Sequence, residues 1–304
     1  MRAFFSVVKS SVNGTLGAAL VLGIGLSLGC SSDAPPTVTT PPVTTPPATQ
    51  WVQVWSDEFD GPAGTPIDNT KWNYDAADGC SVGICGWGNN EREYYSADPG
   101  TIALNGQGQL MIVAQRAPAG LTCYYGPCRY TSAKITTKDK MFANPGRVEA
   151  RIKLSAGQGL WPAFWMLGHL CGAGTPWPAC GEIDIMENKG SQPTSTSSAM
   201  HGSGYSGATP FAHTNTLISG NYTDSFHTFA VEWDAVSIRF FVDDVPHYGV
   251  TSDAIAHYGP SILNQSFYLI LNLAVGGNFD GDPQSDTIFP ATMLVDYVRV
   301  FEKR

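Results

Sequence analysis

Short runs of strand-forming residues, bounded by Gly, Pro, Asn and Asp, recur along this sequence, and long helical periodicity is nearly absent. The runs lie at residues 51–55, 110–114, 147–154, 229–233, 238–242, 267–275 and 293–301. In Val148-Glu149-Ala150-Arg151-Ile152 apolar and polar residues alternate with the period of a strand. Many short strands between turn residues are typical of an all-β sandwich or barrel. Of these two, a sandwich with one concave sheet would give a polymer room to lie across it.

Residues 1–29 have the pattern of a signal peptide, with basic residues before an apolar run at 16–29. The run is too short and too Gly-rich to indicate a membrane span. It ends at Cys30 in a pattern that resembles a bacterial lipoprotein cleavage box, although Ser27 and Leu28 depart from the usual Leu and small residue. An ordinary secretory signal is the alternative. Both interpretations predict export, the first as an outer-membrane or cell-surface lipoprotein and the second as a secreted protein.

Residues 30–50 are rich in Pro and Thr and contain almost nothing apolar. Such a segment cannot form a core, and we expect an extended, semi-rigid linker. By length, residues 51–304 fit one large β domain as well as two small ones. They contain no second linker and no internal repeat, so we treat them as one domain.

The sequence has seven cysteines. Cys30 stands apart, and the other six fall into three local sets: Cys80 with Cys85, Cys123 with Cys128, and Cys171 with Cys180. Six cysteines allow 15 pairings, and three short loop disulfides are the simplest of these. An unpaired seventh thiol is a liability in an exported protein, and lipidation of Cys30 would remove it.

Charge and composition point away from nucleic acid. The formal net charge is −9, whereas phosphate backbones attract positive proteins. Only 14% of residues are charged, against about 25% in an average protein, yet the chain has 8 Trp and 12 Tyr. Aromatic rings stack on sugar faces without needing charge, so this balance favours neutral polar ligands such as sugars.

Three carboxylates in the apolar segment 181–188 are unusual for a strand that looks buried. Side-chain alternation puts Glu182 and Asp184 on one face but Glu187 on the other. A β-bulge near Ile185 and Met186 would shift the register by one residue and return Glu187 to the face of the other acids. Two carboxyl groups that face each other across a sugar bond are what glycoside hydrolysis requires. Surface acids on an edge strand and a cation site are the alternatives.

Residues 182–187 also match the signature of glycoside hydrolase family 16 in its bulged form. Further motifs follow the family's order: Trp-Ser-Asp-Glu-Phe-Asp-Gly at 55–61, Gly-Trp-Gly-Asn-Asn-Glu at 86–91, Gly-Gln-Gly-Leu-Trp-Pro-Ala-Phe-Trp-Met-Leu at 157–167, Asn-Leu-Ala-Val-Gly-Gly-Asn at 272–278 and Val-Asp-Tyr-Val-Arg-Val at 295–300. The set resembles the bacterial laminarinases, which are endo-β-1,3-glucanases. The resemblance implies a concanavalin A-like β-jelly-roll sandwich, with the catalytic strand on the concave sheet that forms the substrate cleft.

The resemblance implies a retaining mechanism, in which two carboxyl groups lie about 5 to 5.5 Å apart. Carried onto this sequence, Glu182 is the nucleophile, Asp184 its supporting acid and Glu187 the general acid/base. No cofactor is implied for the chemistry, and the implied substrate is the internal β-1,3 bond of laminarin-type glucans. Mixed-linkage β-1,3-1,4-glucans, other family 16 polysaccharides and transglycosylation are alternatives on the same fold. A β-glucan-binding module is the alternative outside enzymes, and the presence of both glutamates argues against it.

Trp161 and Trp165 lie four residues apart around Pro162, and we expect that they cannot both alternate onto one face of a flat strand. The family pattern puts both at the cleft, stacked on glucose rings. Core filling is the alternative, most of all for Trp165.

Trp87, Asn89 and Asn90 stand in a Gly-rich loop, where the resemblance implies contacts to sugars before the cleavage point. Turn formation is the alternative for the asparagines. Arg92 departs from the apolar or small residue expected at its position and receives no role. The resemblance places His201 near the acid/base, and a structural hydrogen bond is the alternative.

A calcium ion is common on the convex side of this family, and Glu58 and Asp296 occupy the matching motif positions. Such an ion would serve stability rather than chemistry, and Asp296 could equally be satisfied by backbone amides. We expect a monomer that binds β-glucan and contacts a membrane only through a lipid anchor at Cys30.

Overall fold

The computed structural model of this protein describes residues 50–207 and 211–304. The predicted signal peptide, Cys30 and all of the predicted linker except Gln50 lie outside the described residues. No helix in the described part of the chain is long and apolar enough to cross a membrane.

The described residues are almost entirely strands and loops, as predicted. Their strands are β1 Trp51–Asp57, β2 Asn73–Tyr74, β3 Glu93–Tyr95, β4 Ile102–Leu104, β5 Leu110–Arg116, β6 Thr122–Cys123, β7 Gly126–Pro127, β8 Tyr130–Ser132, β9 Lys134–Thr136, β10 Arg147–Lys153, β11 Leu160–Gly168, β12 Glu182–Glu187, β13 Ser195–His201, β14 Ala212–Thr216, β15 His227–Trp233, β16 Ser237–Val242, β17 Val245–Thr251, β18 Phe267–Val275 and β19 Ala291–Lys303. Short helices are confined to 3-10 turns at Cys80–Val82 and Cys85–Gly88 and to α1 Ser252–Ala256. Each of the seven predicted runs coincides with one strand, to within two residues at its ends.

The strands of the described residues form two large sheets and a separate two-stranded sheet of β6 and β7. The outer sheet has the order β17-β16-β15-β10-β19-β5-β8-β3, with β1 paired to β19 and β4 paired to β5. The cleft sheet has the order β14-β13-β12-β11-β18-β9-β2. Apolar side chains of both sheets share one core, which includes Val148 of β10 and Phe164 of β11. The arrangement is a two-layer β-sandwich, and the all-β prediction is confirmed.

Strand β18 has one face in the core and the other in a cleft. Every residue from Phe267 to Val275 is buried. Odd-numbered side chains such as Leu269 and Leu271 join the core, whereas Tyr268 and Asn272 line a cleft on the opposite face. A strand covered on both faces loses the simple polar and apolar alternation, which is why its sequence is a nearly continuous apolar run.

The three predicted disulfides form between Cys80 and Cys85, Cys123 and Cys128, and Cys171 and Cys180. The first and third close loops whose residues line the cleft. Gly79 precedes the first loop with a φ of 83°, and a Cβ there would lie 2.3 Å from the carbonyl oxygen of Ile84. Only glycine fits this approach, so the loop path depends on it.

Candidate active site

Strand β12 contains the predicted bulge. Its partners in β11 are Leu167 for Glu182, Met166 for Ile183, Trp165 for Asp184, Phe164 for Met186 and Ala163 for Glu187. Ile185 is the extra residue, so Ile185 and Met186 are both buried in the core. All three acids consequently face the cleft, which they line together. The bulge and the shared face of the three acids, both predicted from the sequence, are confirmed.

Trp161 and Trp165 lie on one face of β11, and the expectation that they cannot do so was wrong. Strand β11 pairs with β18 without a register break from Leu160 to Gly168. Residues an even number apart in a regular strand point the same way, so positions 161 and 165 share a face. Trp161, Ala163, Trp165 and Leu167 accordingly line the cleft, and Pro162 does not interrupt the strand.

Three indole N–H groups donate hydrogen bonds to side chains at the cleft surface. Trp161 donates to Glu187 Oε1 at 3.0 Å, and Trp177 donates to Glu182 Oε2 at 2.9 Å. Trp165 donates to the side-chain oxygen of Asn272 at 2.7 Å. Both outer acids are therefore held by a tryptophan, which fixes the orientation of each carboxyl group.

His201 contacts Glu182 and Asp184 rather than Glu187, the acid/base beside which it was expected. Its Nε2 lies 3.2 Å from Asp184 Oδ2 and 3.9 Å from Glu182 Oε1. The pairing of β12 with β13 explains this, because Glu182 is directly opposite His201. One ligand atom from each of the three lies within 4.8 Å of the others, so this group could also hold a cation.

Burial raises the pKa of all three acids. The pKa of Glu182 rises to about 8 and that of Asp184 to about 7, in both cases mainly because the carboxylate is desolvated. Desolvation, followed by the charges of Asp184 and Glu182, holds the pKa of Glu187 well above 4.5. Hydrogen bonds from Trp177 and Trp161 oppose the shifts at Glu182 and Glu187. These effects favour the protonated form of Glu187, which is the form that a general acid requires.

The loop that carries Trp87, Asn89 and Asn90 places two of them in the cleft and the third outside it. Trp87 and Asn89 line the cleft, and the Trp87 indole donates to the carbonyl oxygen of Ala77 at 3.3 Å. Asn90 is exposed, has a φ of 58° and donates to Asn278 Oδ1 at 3.0 Å. A positive φ suits asparagine in a turn, so Asn90 has the features of a turn-forming residue. Trp87 and Asn89 lie where a sugar in the cleft could contact them.

A family model described as "Glycosyl hydrolases family 16" matches residues 90–292. The chain belongs to this family. Its resemblance to family 16, stated from motifs alone, is thereby confirmed.

Individual relatives resemble this family 16 chain over most of their length. The "Beta-glucanase" of Rhodothermus marinus is 38% identical over 263 residues, which are 84% of this chain and 86% of the relative. Among solved structures, an endo-beta-1,3-glucanase from Pyrococcus furiosus is 40% identical with a TM-score of 0.79, covering 84% of this chain and 96% of its own. The laminarinase catalytic domain from Thermotoga maritima is 38% identical with a TM-score of 0.78, covering 84% and 99%. These superpositions confirm the predicted jelly-roll sandwich.

Glu58 and Asp296, the expected calcium ligands of this family 16 chain, are each paired with an arginine. Arg299 binds Glu58 through two hydrogen bonds of 3.0 and 2.7 Å, and Arg151 binds Asp296 at 2.7 Å. The guanidinium of Arg299 holds the pKa of Glu58 below its ordinary value. Both carboxylates are thus paired with the charge of an arginine.

Several cleft residues were not singled out from the sequence, and they include Glu91, Lys134, Trp177 and Asn272. Lys134 belongs to β9, a three-residue strand too short to show alternation. Trp177 lies in the loop closed by the Cys171–Cys180 disulfide. A large aromatic residue within a short disulfide loop, five positions before Glu182, is a sequence signal that indicates a place near that acid.

Proposed function

We propose that this chain is an endo-acting β-1,3-glucanase that hydrolyses internal bonds of laminarin-type glucans with retention of configuration. The observation that carries the proposal is the bulged register of β12, which aligns Glu182, Asp184 and Glu187 on the cleft face. The cleft has a volume of about 1100 Å³, which exceeds the roughly 300–1,000 Å³ of ordinary small-molecule pockets. That size and the tryptophans of its floor suit a polysaccharide. Endo-beta-1,3-glucanase and laminarinase are the names borne by the structural relatives.

In the first step of the proposed mechanism, the ionised carboxylate of Glu182 attacks the anomeric carbon. Glu187 donates its proton to the glycosidic oxygen, so the bond between that oxygen and the anomeric carbon breaks and the downstream sugar leaves as an alcohol. In the second step, Glu187 removes a proton from water, and the resulting nucleophile releases the sugar from Glu182. Two inversions at one carbon give net retention.

Asp184 and Trp177 prepare Glu182 for attack. Glu182 and Asp184 are in hydrogen-bond contact, and one proton shared between them leaves one negative charge for the pair. The N–H of Trp177 stabilises that charge on Glu182. When the proton lies on Asp184, Glu182 is the nucleophile, and His201 beside both acids favours the ionised state.

Hydrolysis of laminarin by the wild-type chain and by Glu182→Gln tests this assignment. We expect the variant to bind laminarin and to lose nearly all turnover. Glu302→Gln, at the far end of β19 in the outer sheet, is the matched control and should keep wild-type activity. A Glu182→Gln protein with more than a small residue of the wild-type rate contradicts the assignment.

The role of Glu187 has a separate test. Replacing it by Ala removes the proton donor, so an activated substrate with a good leaving group should still form the glycosyl-enzyme. Azide should then restore turnover and give a β-glycosyl azide of retained configuration. An inverted product rules out the two-step mechanism.

Substrate range decides between the leading function and its alternatives. Laminarin, lichenan, agarose and carrageenan are each incubated with the protein, and the linkages of the products are determined. Preferential cleavage of lichenan would indicate a mixed-linkage enzyme, and longer oligosaccharide products would indicate transglycosylation. Glucan binding without any cleavage would indicate a binding module.

Export is consistent with the three disulfides, and we propose that Cys30 carries a lipid anchor. The six cysteines of the described residues all pair, so Cys30 is the one of the seven left for lipidation. Fractionation of cells that express Cys30→Ala should move the protein from membrane to soluble fractions. Equally firm membrane attachment of the variant refutes the anchor.

We also propose a structural calcium ion at Glu58 and Asp296, for which the arginine pairs would have to open. Thermal melts with added calcium and with a chelator test this. A higher Tm in calcium that is lost in Glu58→Gln supports the site, and identical melts refute it. Size-exclusion chromatography of the same samples tests the expected monomer.

A further inference from the structure

Two buried carboxyl groups outside the catalytic trio, Glu91 and Glu93, lie next to each other beside the cleft. Alternation along the chain places Glu91, Glu93 and Tyr95 on one face. Their exposed fractions are 5%, 1% and 0%. Neighbouring buried acids are rare without a specific role, because each charged form loses its hydration.

Glu91 is the centre of a hydrogen-bonded relay that runs along the cleft. Its Oε1 accepts from the amide of Asn89 at 3.1 Å, and its Oε2 accepts from the hydroxyl of Tyr95 at 3.2 Å. The Tyr95 oxygen accepts from Asn272 Nδ2 at 3.0 Å, and Asn272 Oδ1 accepts from the indole of Trp165 at 2.7 Å. Asn89 and Trp165 line the cleft, so both ends of the relay are where a sugar would bind.

Glu93 is the buried carboxyl neighbour of Glu91. One oxygen of Glu93, Oε2, accepts from the backbone N–H of Val275 at 2.6 Å. The other oxygen, Oε1, is buried and meets no hydrogen-bond donor among the described residues, and the Glu91 carboxyl group lies within hydrogen-bonding reach of Glu93. A hydrogen bond between two carboxyl groups requires a proton on one of them. Burial and the charge of Glu91 raise the pKa of Glu93 well above 4.5. The other titratable groups that face the pair are Tyr95 and Lys134, and Lys134 favours the ionised form of Glu91.

We propose that Glu91 and Glu93 share one proton and act as a positioning pair, which holds Asn89 and, through Tyr95 and Asn272, the indole of Trp165. Removal of the proton at alkaline pH would place two negative charges in contact and break the relay. Neither glutamate is proposed to touch the reacting atoms. The kinetic part of the test rests on the proposed function, whereas the stability part does not.

The stability test compares wild type with Glu93→Gln between about pH 5 and about pH 9. The glutamine amide can donate to Glu91 permanently, while its oxygen accepts from Val275. A carboxyl group with a raised pKa contributes its stability at low pH and loses it as the pH rises. We therefore expect the Tm of wild type to fall more toward alkaline pH than that of Glu93→Gln. The active-site acids also have raised pKa values, but they affect wild type and Glu93→Gln alike. The control, Glu302→Gln, should follow wild type. Superimposable Tm curves for wild type and Glu93→Gln overturn the proposal.

The kinetic test measures kcat and KM on laminarin over the same pH range. We expect Glu93→Gln to match wild type at acid pH and to resist the alkaline rise in KM. Glu93→Ala removes the partner of Glu91 and should raise KM about tenfold, with a smaller effect on kcat. If Glu93→Ala does not fold, Glu93→Gln carries the test. An alkaline rise in KM equal to that of wild type overturns the positioning role. Absence of laminarin hydrolysis by every protein, with the Tm difference preserved, refutes the proposed function and leaves the shared proton supported.

Discussion

Replacing Glu182 by Gln should stabilise the protein at alkaline pH while it abolishes catalysis. Burial and the neighbouring Asp184 raise the pKa of this carboxyl group from its ordinary value of 4.5 to about 8. In the unfolded chain the group ionises freely near pH 4.5, whereas the folded chain resists ionisation until about pH 8. The unfolded state therefore binds fewer protons across this window, and wild-type stability falls as pH rises through it. Gln keeps the shape of the side chain and never ionises.

The size of the effect follows from the pKa change. Moving a pKa from 4.5 to about 8 corresponds to about 5 kcal/mol of unfolding free energy, at about 1.36 kcal/mol per pH unit. The Glu182 side chain is 18% exposed in an open cleft, so water screens part of this energy, and we expect about 2 kcal/mol at pH 8. For a domain of this size that is a Tm increase of about 4–8 °C.

Thermal melts of wild type and Glu182→Gln at about pH 4.5 and about pH 8 measure the difference. We expect nearly equal Tm values at the lower pH and a higher Tm for the variant at the upper pH. Glu302→Gln serves again as the control, since it lies in the outer sheet. A Tm difference that is the same at both pH values, or a variant that melts lower at pH 8, would refute the reasoning.

Three further changes test individual contacts of the cleft. Trp161→Phe removes the hydrogen bond that lowers the pKa of Glu187, so the alkaline limb of the kcat profile should move to higher pH; an unmoved limb counts against that contact. Trp177→Phe removes the donor to the nucleophile and should lower kcat/KM about tenfold, the equivalent of about 1.4 kcal/mol; a wild-type value would show that the bond is dispensable. Double replacement of the Cys171–Cys180 pair by Ser opens a loop with a sequence separation of 9. Chain entropy assigns that loop about 3 kcal/mol, hence a Tm lower by about 6–12 °C, and an unchanged melt contradicts this.

The fold was predictable because its signals are local. Alternation in β10 identified a strand whose Val148 and Ile152 enter the core. Met186 was informative in another way, because an apolar residue at a position that strict alternation gives to the cleft implied a bulge. The structure places that extra residue at Ile185. Strand alternation, together with one departure from it at Met186, was enough to predict that the three acids share a face.

The residues that surround the three acids were less predictable, because pairings between distant segments bring them there. Lys134 reaches the cleft because β9 pairs with β18, where Asn272 is its partner. Nothing near residue 134 in the sequence indicates that pairing. The error over Trp161 and Trp165 had a different origin, since strand alternation applied correctly puts both on one face. The contacts of His201 with Glu182 and Asp184 follow from the register of β13 on β12, which depends on the bulge.

The tryptophans of the cleft link sugar binding to acid chemistry through two different parts of one ring. Their N–H edges are engaged by protein acceptors: Glu187 for Trp161, Glu182 for Trp177 and Asn272 for Trp165. An indole held by its edge can still present its π face to a sugar. Phe279 stacks on Trp161 with 4.7 Å between ring centroids, which fixes the plane of that ring as well. A sugar that displaces one of these rings would therefore also move the carboxyl group or amide bonded to it. Substitutions at Trp161 and Trp177 should consequently change kcat together with KM, whereas a tryptophan that served only as a stacking platform would change KM alone.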